Sequence, residues 1–214
     1  MESKEGHTLH FERIVFFSDA VFAIAITLLV LEIKVPQLGH HPSSRDLGFA
    51  LLGLLPKFVG FVVSFFVIGI AWVEHHRIFK YIANYDHGLM WRNLFFLMAV
   101  AFMPFPTALF SEYYTNNLAL VVYAVNLALV GTTKLWIWKY ASQGHQHLEP
   151  TIRAEEVLNI SRRSLAMPIT CLGIAIAAGF GIPFAYMGFP LMPLIAWLLG
   201  RSAKGKAADM AAAA

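Results

Sequence analysis

The chain has 214 residues, of which 58% are hydrophobic and only 14% are charged. A soluble domain of this length carries more charge, so the composition indicates an integral membrane protein. The formal net charge of +3 comes from scattered loop residues rather than from one basic face, which argues against a nucleic-acid partner. Cys171 is the only cysteine, which excludes an intrachain disulfide and a cysteine metal cluster.

Six apolar runs are predicted to cross the membrane. An α-helix rises about 1.5 Å per residue, so a run of about twenty apolar residues matches a hydrocarbon core about 30 Å thick. The last run is the shortest and is interrupted by proline. The runs cover residues 14–34, 47–73, 89–111, 117–138, 164–182 and 185–199.

The lysine and arginine residues predict the orientation of these spans, because basic residues concentrate in cytoplasmic connections. Thirteen of the sixteen lie at the amino terminus, in the second and fourth connections and in the tail; the other three are Lys34, Arg45 and Lys57. This asymmetry predicts that both termini are cytoplasmic. The predicted organisation is a single six-helix transmembrane domain over residues 1–200, followed by a short cytoplasmic tail over residues 201–214. The fourth connection is predicted to contain a short helix.

The first run contains one acidic residue near its start, in the pair Ser18-Asp19. An ionisable side chain at this depth in a membrane is a candidate functional residue and needs a polar partner. Indole, imidazole and amide N–H groups can satisfy a carboxylate. Adjacent histidines point about 100° apart on a helix and do not face one metal ion, so no metal site is predicted. The candidate partners at the same depth are Trp72, His75, His76, Arg77 and Asn93.

Helical geometry sorts the first run into two sides. At about 100° per residue, Ile24, Leu28 and Leu31 lie within about 60° of one line, together with Thr27, whereas Asp19 points roughly 140° away from Ile24. The stripe is either a packing or lipid-facing surface, or the lining of a pore. In a pore, branched aliphatic side chains from several copies would close the water path by dewetting. Threonine hydroxyls would meet a partly dehydrated cation.

No motif in the sequence supports catalysis. There is no Ser/His/Asp arrangement, no His-Glu-x-x-His zinc site and no glycine-rich phosphate loop. The Thr-Val-Gly-Tyr-Gly filter of many potassium channels is also missing. An enzyme is therefore not predicted, and no cofactor is expected.

Three motifs carry a family resemblance. They are Arg13-x-x-x-Phe17-Ser18-Asp19, Trp72-Val-Glu-His75-His76-Arg77-Ile-Phe and Phe102-Met-Pro104-Phe-Pro106-Thr107. Together they resemble the transmembrane protein 175 family of endolysosomal potassium channels, in its prokaryotic branch, over at least the first four spans. The resemblance implies a six-span cation channel whose pore is lined by the first helix. Animal members carry two such units per chain and assemble as dimers, so the single unit here implies a homotetramer.

The resemblance also implies roles for individual residues. Ile24 matches the hydrophobic constriction, and Leu28 and Leu31 match further pore-facing rings. Thr27 matches the hydroxyl layer associated with potassium preference. A structural network would hold the first helix against the second and third, and its implied members are Arg13, Phe17, Ser18, Asp19, Trp72, His76 and Asn93.

The sequence thus predicts a homotetrameric, potassium-permeable channel with passive, leak-like conduction in a bacterial plasma (inner) membrane. Its expected partners are identical subunits, the lipid bilayer and potassium ions. One alternative is a proton-coupled secondary transporter in which Asp19 and His76 form a relay. The lack of a convincing internal duplication weighs against that alternative. Another alternative is an accessory subunit without a permeation path of its own.

Overall fold

The computed structural model describes residues 2–145 and 147–201, and these residues form helices and connections without a β-strand element. Short 3-10 helices cover Leu29–Glu32, Gln143–His145 and Ala185–Leu191, and residues 192–201 are also helical. The α-helices are α1 (Glu2–Leu28), α2 (Ser44–Gly53), α3 (Leu55–Phe79), α4 (His87–Ala101), α5 (Pro104–Glu112), α6 (Asn117–Ser142), α7 (Ala154–Arg163) and α8 (Ala166–Gly179).

The prediction of an all-helical membrane protein is confirmed. Within the described part of the chain, five segments are long and apolar enough to cross a membrane, and they are Phe11–Glu32, Leu55–Phe79, His87–Glu112, Asn117–Ser142 and Ala154–Gly179. The predicted sixth span is shorter and less regular, because Pro190 lies within a 3-10 helix and cannot continue α-helical hydrogen bonding. The sixth span therefore stays a prediction. Residues 202–214 of the predicted tail lie outside the described residues.

Prolines divide two of the predicted spans. The run 47–73 is divided between α2 and α3, because Pro56 occupies the first turn of α3, where its missing N–H costs no helical hydrogen bond. Helix α3 then continues to Phe79, beyond the predicted end at residue 73. The run 89–111 is likewise divided between α4 and α5, since Pro104 begins the second of these helices.

The end of α6 is held against the start of α4. The Tyr140 hydroxyl donates to Asp86 Oδ2 at 2.6 Å, and Asp86 Oδ1 accepts from the N–H of Leu89 at 2.8 Å. Burial raises the pKa of the Asp86 carboxyl, but these hydrogen bonds outweigh burial and the pKa lies below its ordinary value. His147 stacks on Tyr140 with ring centroids 5.3 Å apart. The short helix predicted in the fourth connection follows as α7.

Helix α6 is the scaffold of the fold, and its largest contact is with α8. Gly131 lies at this contact: a Cβ atom there would be 2.7 Å from Cδ of Pro168 and 3.1 Å from Cβ of Met167. Small residues at such positions let membrane helices approach closely. The absence of a side chain at residue 131 therefore sets the distance between α6 and α8.

Helix α1 packs against α3 and α4, away from the contact of α6 with α8. Phe22 and Ala25 of α1, and Leu29 of the 3-10 helix that follows it, are buried and belong to the main hydrophobic cluster. The burial of one side of α1 is what positions the residues considered next.

Gly131→Ala is expected to destabilise the protein by about 1–3 kcal/mol, because the added methyl group overpacks against the Pro168 ring. Gly173→Ala is the matched control. A Cβ at Gly173, inside α8, meets no atom within 4 Å, and alanine favours a helix over glycine by about 0.5–1 kcal/mol. Thermal unfolding of both purified variants measures the difference. Equal stability of the two variants would contradict the close approach of α6 and α8.

Candidate functional site

The two sides of α1 differ sharply in exposure. Ser18 and Phe22 are buried against the rest of the chain, whereas Ile24 is 58% exposed. Thr27 and Leu28 are exposed on the same side as Ile24. The structure thus places an apolar stripe with one hydroxyl on the surface of the single chain, opposite the buried side of the helix.

Leu31 lies on this exposed side, but not through α-helical geometry. Helix α1 ends at Leu28, and residues Leu29–Glu32 form a 3-10 helix, in which successive residues lie about 120° apart. Leu31 is exposed there, whereas Leu29 is buried. The exposed stripe therefore consists of Ile24, Thr27, Leu28 and Leu31.

A chain of three hydrogen bonds fixes the buried side of α1. The Ser18 hydroxyl donates to the carbonyl oxygen of Ile14 at 2.8 Å and accepts from Asn93 Nδ2 at 2.9 Å. Asn93 Oδ1 lies 2.9 Å from His75 Nε2. Because Asn93 Oδ1 can only accept, the proton in that bond belongs to His75 Nε2. A side chain of α3 therefore donates to one of α4, and that side chain of α4 donates to one of α1.

Aromatic rings enclose the His75 imidazole. Its centroid lies 4.2 Å from that of Phe79 and 5.3 Å from that of Phe96, and both rings are stacked on it. Phe22 of α1 approaches with a centroid distance of 5.6 Å. His75 is therefore a buried packing residue as well as a hydrogen-bond donor.

Asp19 has a separate partner on α3. Trp72 Nε1 donates to Asp19 Oδ1 at 2.7 Å, and the His76 ring lies 6.0 Å from the Trp72 ring between centroids. Asp19 is half-buried and Trp72 is partly exposed. The carboxylate therefore contacts α3 beside the buried hydrogen-bond chain and not the exposed stripe.

The structure brings together Ser18 with Asn93 and Asp19 with Trp72, as expected for a network that holds α1. Of the two candidate histidines, His75 contacts Asn93, whereas His76 is exposed and its ring lies beside that of Trp72. Adjacent residues on a helix point about 100° apart, so only one of the pair faces α4. Arg13 and Phe17, two further predicted members, lie on the exposed surface of the chain.

The Thr27 hydroxyl is bonded within α1. It donates to the carbonyl oxygens of Ala23 and Ile24, at 3.0 Å and 2.9 Å. A hydroxyl oxygen keeps two acceptor lone pairs when its proton is engaged. Thr27 therefore presents oxygen lone pairs on the exposed side of the helix.

Sequence reasoning missed two further polar contacts. Lys134, which counts with the basic residues of the fourth connection although it lies within the predicted run 117–138, is only 3% exposed and forms an ion pair with Glu74 of α3. The Thr107 hydroxyl donates to Ser64 Oγ at 2.9 Å, and Ser64 Oγ lies 3.1 Å from the Tyr123 hydroxyl. Lysine within an apolar run was the signal for the first contact. Over the residues that the structure describes, no group of three metal-binding side chains is present.

His75→Ala is expected to lower the free energy of unfolding by about 3 kcal/mol. It removes a buried ring and leaves the buried Asn93 Oδ1 without a donor. The adjacent change His76→Ala is the matched control and is expected to cost about 0.5 kcal/mol or less, because the side chain is exposed. Chemical denaturation in detergent measures both. A larger loss from His76→Ala would overturn the assignment of His75 to the network.

Most of this chain aligns with named proteins of similar sequence. The family model described as "Endosomal/lysosomal potassium channel TMEM175" matches residues 13–104. A potassium channel of Streptomyces collinus is 36% identical over 196 residues, which are 85% of this chain and 93% of the relative. A potassium channel of Chamaesiphon minutus is 43% identical over 156 residues, 71% of this chain and 75% of the relative. A Danio rerio endosomal/lysosomal proton channel TMEM175 is 24% identical, over 91% of this chain and 38% of the relative.

A solved structure matches over nearly the whole fold. It is the crystal structure of a lysosomal potassium-selective channel TMEM175 homologue from Chamaesiphon minutus, with a TM-score of 0.73 and 34% sequence identity. The match covers 91% of this chain and 98% of that chain. The arrangement of helices is therefore similar to that of a potassium-selective channel.

Proposed function

Because this chain belongs to the TMEM175 family of endosomal/lysosomal potassium channels, we propose that it forms a passive potassium-permeable pore lined by α1. The exposed stripe of Ile24, Thr27, Leu28 and Leu31 supports this proposal, since it lies on a helix whose opposite side is held in the core. One copy of α1 cannot enclose a water path, so several chains must surround a common axis. Four copies are proposed, as the family resemblance implies.

Ile24 is proposed as the narrowest apolar ring. Four isoleucine side chains around one axis would exclude water from a short section of the pore, and an apolar section without water stops ions. Leu28 and Leu31 would extend the apolar section beyond Thr27. Opening would then require the α1 helices to move apart or rotate until this section fills with water.

Thr27 is proposed as the layer that favours potassium. Its proton is engaged by the α1 backbone, so four copies would present oxygen lone pairs, and neither N–H donors nor charges, to an ion. Such oxygens can replace part of the hydration shell of a weakly hydrated cation. This layer would admit cations and give anions no favourable contact.

The polar network is proposed to hold α1 in the orientation that this pore needs. Ser18 and Asp19 contact α4 and α3 respectively, and both lie away from the exposed stripe. They would therefore act on assembly and opening and would not coordinate the permeant ion. The proposed location is a bacterial plasma membrane, and the proposed function requires no cofactor.

Ile24→Ala is expected to raise potassium conductance and resting leak severalfold, because a smaller side chain widens the apolar ring and favours water in it. Ile26→Ala is the matched control: Ile26 is half-buried against the core of its own chain and does not face the stripe. Both variants are reconstituted in liposomes, and potassium flux is measured under a potassium gradient.

The same liposomes distinguish a channel from a proton-coupled transporter. Passive flux that follows the potassium gradient alone supports the channel. Flux that occurs only under a pH gradient, and that saturates with potassium, would move the protein to the transporter class. Unchanged flux in Ile24→Ala, with a larger effect in Ile26→Ala, would contradict the pore assignment. The hydrogen bond that Asp19 accepts from an indole favours the channel, because indole does not relay protons.

Thr27→Ala is expected to reduce the preference for potassium over sodium about tenfold or more, since the hydroxyl layer is removed while the apolar ring remains. Thr27→Ser keeps the hydroxyl and is expected to retain most of the preference. Reversal potentials with potassium on one side of a planar bilayer and sodium on the other measure the ratio. Equal selectivity of the two variants would show that the hydroxyl does not set ion preference.

A further inference from the structure

A small polar cavity lies where α3, α6 and α7 meet. Its volume is about 80 Å³, and two apolar side chains complete its wall. Its lining includes no residue of α1 and none of the side chains in the hydrogen bonds that hold α1. Its polar lining residues are Glu74, Arg77, Lys134, Asn159, Arg163 and Ser164.

The cavity carries an excess of positive charge. Lys134 is 3% exposed and pairs with Glu74, whose side chain is 48% exposed. That pair is neutral, so Arg77 and Arg163 leave two positive charges at the same cavity. Asn159 and Ser164 supply an amide and a hydroxyl, which are uncharged hydrogen-bond donors. Two guanidinium groups with neutral donors beside them suit an anion with several oxygen atoms.

The size of the cavity limits the anion. At about 80 Å³, the cavity has room for a small group such as one phosphate together with a few water molecules. The recognised group is therefore a single phosphate, with the rest of the ligand outside the cavity.

An apolar surface leads from the cavity into the membrane. Val73, Ile70 and Phe66 precede Arg77 by four, seven and eleven residues, so they lie on the same side of α3, and all three are exposed. A free phosphate ion makes no favourable contact with this apolar surface, whereas an acyl chain can pack along it. The distribution of lysine and arginine places this end of α3 on the cytoplasmic side, where anionic lipids attract basic residues.

We propose that this cavity binds the phosphate of an anionic phospholipid of the cytoplasmic leaflet, with its acyl chains along Phe66, Ile70 and Val73. Arg77 and Arg163 contact the phosphate. Lys134 neutralises the Glu74 carboxylate, which would otherwise repel it. Bound lipid would connect α3 to α7. This site is independent of the proposed conduction, since it lies outside α1.

The test is calorimetric titration of the full-length protein in detergent with dioctanoyl phosphatidylglycerol, dioctanoyl phosphatidylcholine and inorganic phosphate. We expect saturable binding of phosphatidylglycerol, with binding of the other two at least about tenfold weaker. The double variant Arg77→Gln/Arg163→Gln is expected to weaken phosphatidylglycerol binding about tenfold or more. Lys139→Gln/Arg153→Gln removes the same charge at exposed residues outside the cavity, and is expected to change the affinity less than twofold.

Several results would overturn the proposal. Equal losses in the two double variants would show diffuse electrostatic attraction without a site. Inorganic phosphate binding as tightly as the lipid would identify a free phosphate site, and equal affinity for phosphatidylcholine would remove the anionic preference. If the glutamine variant fails to fold, Arg77→Lys/Arg163→Lys is used in its place. It keeps the charge but loses the bidentate guanidinium hydrogen bonds. Undiminished binding in that lysine variant would contradict the proposed phosphate contact.

Discussion

The hydrogen bonds that join His75, Asn93 and Ser18 determine which side of α1 faces the core. All three side chains are buried, and water is scarce at this depth in a membrane, so a lost partner could not be replaced by solvent. Rotating α1 about its axis would separate Ser18 from Asn93 and withdraw Phe22 from the aromatic cluster. The exposure of Ile24 on the opposite side is therefore a consequence of the buried polar contacts.

Polar residues in this protein divide into two structural roles. Ser18, Asn93 and His75 satisfy one another in the interior, whereas Asp19 contacts Trp72 nearer the surface of the chain. The first set fixes rotation of α1, because its members lie on three different helices. The second contact restrains α1 against α3 alone. A change that loosens only the second contact would leave the stripe in place while α1 gains freedom to move relative to α3.

The sequence predicted the two-sided character of α1 because residue spacing on one helix sets angles that need no knowledge of its neighbours. It left open which of His75 and His76 joins the network, because that choice depends on the rotation of α3 against α4. Four consecutive polar residues, from Glu74 to Arg77, point to every side of the helix, so the pattern alone does not identify the buried one. Sequence proximity also could not reveal the ion pair between Glu74 and Lys134, whose members are sixty residues apart. Pro104 begins a new helix inside a predicted run, because a residue without an N–H is tolerated in the first turn of a helix and not in its interior.

Two hydroxyls on α1 illustrate how a neighbour changes what the same chemical group can do. Ser18 and Thr27 both donate to carbonyl oxygens of α1 itself, which satisfies the proton in each case. Ser18 then accepts from Asn93, so its oxygen is engaged in holding the fold. Thr27 lies beside Ile24 and Leu28 on the exposed side, with its acceptor lone pairs directed away from the core. In the proposed pore, that oxygen would meet a partly dehydrated cation, and the buried contacts of Ser18 are what hold it on the exposed side of α1.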